Sequence, residues 1–99
     1  MSRDWTDAHR KVAEAESCRI CSDPPGDAAH IVPRSLGGRQ RAASVVELCR
    51  EHHRQFDHHE IDLLEHLTLE EQAEAVSIVG IERARMILAP SCYRDRRLP

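Results

Sequence analysis

The sequence predicts a small α+β domain held together by a metal ion. Two observations lead there. Paired x2-spaced ligand residues, Cys18-Arg-Ile-Cys21 and Cys49-Arg-Glu-His52, stand 27 residues apart in sequence. Between and after them the chain reads as strand, loop, strand, helix, with helical patterning on both flanks.

Residues 4–16 (DWTDAHRKVAEAE) form the first predicted helix, with Trp5, Ala8, Val12 and Ala15 at helical spacing. Ser17 and the cysteine pair end it. Residues 22–27 (SDPPGD) are turn-forming, because Pro-Pro-Gly cannot continue regular structure. A short strand follows over 28–33 (AAHIVP), closed by Pro33. Residues 34–43 make an Arg-rich loop containing Gly37 and Gly38, and 44–48 (SVVEL) a second, β-branched strand. From Cys49 a helix runs to about His59. A short turn over 62–67 precedes the helical C-terminal part. Thr68-Leu-Glu-Glu71 matches a capping box, with Leu69, Gln72, Ala73, Val76 and Val79 on or near the apolar face and Gly80 as the C-cap. A last helix covers 81–88 and stops before Pro90. The whole chain, 1–99, reads as one domain, with a stapled core over 18–59 and a helical extension over 60–90.

Composition explains why such a chain needs a staple. Of its 99 residues only 3% are aromatic and 31% are charged. Small domains with weak cores are commonly fastened by metal or disulfide. The N-terminus lacks the apolar run of a signal peptide, and no apolar segment is long enough to span a membrane. A cytoplasmic, reducing compartment is therefore expected, where a C-x-x-C pair is a metal or redox site rather than a disulfide. A thioredoxin-like redox site would need a βαβ context, which the pattern lacks. The formal charge of −3 averages two unlike regions. Arg34, Arg39, Arg41, Arg50 and Arg54 make the centre basic, and Arg94, Arg96 and Arg97 extend this in the tail. The span 57–82 is acidic with no Lys or Arg, either an ordinary solvated face or a protein-facing surface.

Cys18, Cys21, Cys49 and His52 complete one tetrahedral Zn²⁺ ligand set. His53 is the rival fourth ligand; His52 mirrors the x2 spacing of the first pair and leaves His53 for other work. Cys92 stands apart as a buried or bystander thiol. His30 lies among small and branched apolar residues, where a core histidine is the bland reading. Its surroundings point elsewhere: an Arg- and Gly-rich loop follows it, and a helix returns carrying His53 and Asp57 at i and i+4, on one face. That face can hold a divalent ion against a phosphate, and a neutral histidine opposite it can take a proton from water. His58 and His59 are rival ligands out of that register.

The segment from Cys18 to about Gly80 resembles the zinc-containing HNH endonucleases of phages and mobile elements, in its CRIC, AHIVPRSLGG, VVELCREHH and FDHHEIDLLEHLTLEEQAEAV stretches. The resemblance implies a ββα-metal core and a hydrolase cutting DNA phosphodiester bonds. It implies His30 as general base, His53 and Asp57 as ligands of Mg²⁺ or another divalent cation, and Cys18, Cys21, Cys49 and His52 as structural zinc ligands. Arg34, Arg39, Arg41 and Arg54 would lie along the DNA backbone. Two positions depart from the family pattern. Ala29 stands where a metal-ligating Asp or His often precedes the base, and Ser44 where an Asn holds the loop. Asp27, two residues before Ala29, is not assigned as a ligand. These departures keep a second reading open: a zinc-stapled DNA- or protein-binding module that has lost the catalytic ion. A third is an accessory subunit that cuts only with a phage packaging or recombination partner.

Overall fold

Two short strands and the helix that follows them form the centre of the computed structural model, which describes the backbone of residues 3–92 and side chains from residue 6. The element order is α1 (Arg3–Glu14), β1 (Asp27–His30), β2 (Val45–Leu48), α2 (Arg50–Asp57), α3 (Leu69–Val79) and α4 (Ile81–Leu88), with 3₁₀ turns at Arg34–Leu36, Ala42–Ser44 and Leu64–His66. The chain is thus α+β, as expected. The side chains of Trp5 and of Arg94, Arg96 and Arg97 lie outside the described residues.

β1 and β2 pair antiparallel, with Asp27 opposite Leu48, Ala29 opposite Val46 and His30 opposite Val45. Both strands are shorter than expected. β1 ends at His30: beyond it the Ile31 N–H still donates to Ser44 O at 2.9 Å, but Leu36 and Gly38 both donate to Pro33 O and fold the loop back. Ser44 belongs to a 3₁₀ turn rather than to β2, since its N–H donates to Arg41 O at 2.9 Å. The second glycine of the loop is needed for space: a Cβ on Gly38 would stand 1.9 Å from Val32 O.

α2 packs against both strands. Cys49 is its N-cap, and Phe56 is the residue it buries. The core gathers Ala29, Ile31, Val32, Val46, Leu48, Phe56, Leu63, Ala75, Ala84 and Leu88 around Cys18 and Cys49. At about 25 cal/mol per Å² of apolar surface removed from water, such small side chains contribute modestly, which is why fixed polar connections matter here.

The capping box at Thr68 is formed as the sequence predicts, with both Thr68 and Glu71 hydrogen-bonding across the first turn of α3. Gly80 caps α3 at φ 86° and donates to Val76 O at 2.8 Å before opening α4. The buried face of α3 differs from the apolar stripe expected. Leu69 is 83% exposed and Val76 is exposed, while Glu71 and Glu74 are 2% and 6% exposed. The reason is electrostatic. Glu71 accepts from Lys11 of α1 and from Arg19 (2.7 Å), and Glu74 accepts from Arg41, Arg39 and the Ser44 hydroxyl. Lys11 also donates to Ala42 O and Val45 O at 2.8 and 2.7 Å, tying α1 to the sheet. Part of the acidic flank therefore turns inward onto the basic centre of the same chain.

Candidate functional site

The turn after α1 and the start of α2 bring the four expected ligands together. The ligand atoms of Cys18, Cys21, Cys49 and His52 all lie within 4.8 Å of one another. Cys49 Sγ stands 3.3 Å and Cys18 Sγ 3.6 Å from His52 Nδ1, and Cys21 Sγ is 3.8 Å from Cys49 Sγ. Thiolates about 2.3 Å from a tetrahedral centre stand roughly 3.8 Å apart, so the set fits a metal such as zinc. No disulfide involves these cysteines.

The local electrostatics ask for a cation. Burial opposes ionisation of Cys18, but backbone N–H donors and His52 outweigh it and lower the thiol to about 6. At Cys21 a backbone bond near Asp23 favours the thiolate, yet burial and the neighbouring Cys18 and Cys49 sulfurs prevail and push it up to about 11. Thiolates this close repel one another, and a bound cation removes the conflict. Of the two candidate fourth ligands, His52 joins the cluster and His53 points elsewhere.

His53 stands on the other side of α2's first turns, in the wall of a cleft of about 310 Å³ that it shares with His30, Arg34, Asp57 and His59. His30 comes from the end of β1, and His53 and Asp57 from one face of α2, so strand and helix bring together the three residues that the sequence singled out. His53 Nε2 lies 3.4 Å from Asp57 Oδ2, close enough for the two atoms to share one cation. Among the described residues, no second group of three ligands gathers as tightly as the cysteine cluster. Burial, and after it the Arg34 guanidinium and the neighbouring His53 ring, hold the His30 imidazole below the usual histidine range, which favours its neutral form.

The structure adds one residue that sequence reasoning set aside. Asp27 Oδ2 lies 2.9 Å from His53 Nδ1, on the side of the ring away from Asp57. Reasoning along β1 alone misses it, because the partner comes from a helix 26 residues on. Ala29, by contrast, is 0% exposed and belongs to the core, with Ala28 and His30 on the cleft side of the strand.

The arginines divide. Arg34 is exposed and lines the cleft. Arg39 and Arg41 are drawn to Glu74, and Arg54 to Glu51 (2.7 Å) and Glu60 (3.6 Å). Ser44 is buried and its hydroxyl donates to Glu74, which ties the end of the loop to α3. His59 adopts a left-handed backbone, φ 59°, which turns it into the cleft wall. Cys92 is exposed, so of its two expected roles the buried one does not apply. No helix among the described residues is long and apolar enough to cross a membrane. No family model matches the chain, and neither curated proteins nor solved structures give a significant match.

Proposed function

We propose that the chain is a metal-dependent DNA endonuclease of the HNH type, with the β1–β2–α2 unit as its ββα-metal core. The observation that carries this reading is the meeting of His30 with His53 and Asp57 in one cleft beside the Cys₃His cluster. Zinc in that cluster is structural: it fastens the turn at Cys18 to the start of α2 and so fixes the helix that carries His53 and Asp57.

His30, neutral and partly buried, takes a proton from water. The resulting hydroxide forms a bond to the scissile phosphorus as the P–O3′ bond breaks in line, and the departing oxygen gains a proton from solvent. His53 and Asp57 would hold Mg²⁺ or a similar ion, which supplies positive charge for the pentacovalent phosphorus and the leaving 3′ oxygen. Arg34 is the arginine best placed to meet a phosphate, being exposed at the cleft. Arg39, Arg41 and Arg54 carry carboxylate partners and reach DNA only in exchange for them. Plasmid nicking by the zinc-loaded chain, scanned over Mg²⁺, Mn²⁺, Ni²⁺ and EDTA, tests the reading.

A second reading has its own support. With Ala29 sealed in the core, β1 offers no ligand at the position just before His30. A zinc-stapled binding module, or a subunit that cuts only inside a phage or recombination complex, would keep the fold and bind DNA without cutting alone.

A further inference from the structure

Asp27 makes the closest side-chain contact of the His53 imidazole, Oδ2 to Nδ1 at 2.9 Å. It opens β1, where the preceding Gly26 N–H donates to Leu48 O at 3.0 Å and presses this corner against the start of α2. The position is therefore set by the sheet, and His53 comes to it from the helix. Both side chains are 28% exposed, while Asp57 is 61% exposed. Asp27 thus meets the inner nitrogen of the ring and Asp57 the outer one.

We propose that Asp27 is the positioning carboxylate of His53: it accepts the Nδ1–H, fixes the tautomer, and turns the Nε2 lone pair toward Asp57 and the cleft. Histidines that ligate metals generally donate their other ring N–H to a carboxylate or carbonyl, which orients the ring and raises its basicity. The distances fit that division of labour: Nδ1 to Asp27 Oδ2 is a hydrogen bond at 2.9 Å, whereas Nε2 to Asp57 Oδ2 is longer, 3.4 Å. With the proton on Nδ1, the Nε2 lone pair and the Asp57 oxygen are two acceptors facing each other. That pairing is unfavourable until positive charge lies between them. Asp27 therefore prepares a two-residue cation site at the position where the endonuclease reading needs one, and the cation part of the inference rests on that reading.

The test has two independent readouts on zinc-loaded protein of matched zinc content. Long-range ¹H–¹⁵N imidazole spectra at alkaline pH report which nitrogen of His53 carries the proton. Mn²⁺ titration followed by electron paramagnetic resonance reports the cation site. In the wild type His53 carries its proton on Nδ1; in Asp27→Ala it shifts to Nε2 and Mn²⁺ binds about 10- to 100-fold more weakly. Asp27→Asn, whose amide oxygen can still accept, retains the tautomer and most of the affinity. A wild-type His53 protonated on Nε2, or an Asp27→Ala protein that binds Mn²⁺ as tightly as wild type, overturns the proposal. A tautomer set by Asp27 in a chain that binds no Mn²⁺ at all removes the cation-site reading while leaving Asp27's hold on His53 intact.

Discussion

Cys49 Sγ accepts the backbone N–H of His52 at 3.5 Å while standing 3.3 Å from the His52 imidazole. One sulfur thus caps α2 and belongs to the metal cluster. Helix start and candidate metal site are a single construction, so a metal held there would fasten the helix that carries His53 and Asp57, and its removal should release that helix. We expect one zinc per chain by elemental analysis, and a chelator should abolish the cooperative thermal transition followed by circular dichroism. A chelated, zinc-free chain that melts like the loaded one contradicts this.

Glu71 is a second fastening. Burial would raise its carboxyl, but Arg19, Lys11 and the Thr68 N–H outweigh burial and hold it at about 2. An unperturbed glutamate titrates near 4.3, so the folded value is depressed, and the pair stabilises the fold on the order of 3 kcal/mol at neutral pH. The sign follows: the contribution is complete above about pH 4.3 and is lost as pH falls toward 2. Glu71→Gln should therefore lower stability at pH 7 by about 3 kcal/mol. The gap between variant and wild type should persist near pH 4 and close only as pH falls toward 2, where Glu71 takes up its proton. Denaturant melts of both proteins at pH 7 measure it, and a variant as stable as wild type there would show that the charged contacts of Glu71 do not hold the fold.

Gly38 is confined by backbone. A methyl group there meets Val32 O at 1.9 Å, so the loop bearing Arg34 must shift. Gly38→Ala should cost about 1–3 kcal/mol in a thermal or denaturant melt. A variant as stable as wild type would mean that the loop closes less tightly on the strand end than described.

The cleft makes a pH prediction. Burial, Arg34 and His53 all disfavour the imidazolium form of His30. If His30 is the base, the acid limb of kcat/KM for DNA nicking should break below about 6.5, the ordinary histidine value. Arg34→Ala removes one of the causes and should move that break upward. An acid limb centred above the ordinary value would speak against a neutral His30.

The parts of this fold that depend on local rules were legible in the sequence. The x2 spacings located the four residues of the Cys₃His cluster that could hold a metal, and the Thr68–Glu71 spacing located the start of α3. The i,i+4 relation placed His53 and Asp57 on one face. What local patterning missed was decided by distant partners. α3 shows a respectable apolar stripe, yet Glu71 and Glu74 face inward because Lys11, Arg19 and Arg41 wait there, 60, 52 and 33 residues away in sequence. Asp27 follows the same rule: its strand position relative to Ala29 says nothing about the helix that packs across it and brings His53 to its carboxylate.

The most direct test of the central claim is plasmid nicking by zinc-matched wild type and His30→Ala at saturating Mn²⁺ or Mg²⁺, with EDTA controls at a level that leaves the zinc in place. The account predicts ion-dependent nicking that falls about 10²- to 10⁴-fold in His30→Ala, with unchanged melting behaviour. Nicking that survives intact in His30→Ala contradicts His30 as the base. Folded, zinc-bound wild type that never nicks with any ion contradicts an enzyme acting alone, and points to the binding module or the accessory subunit.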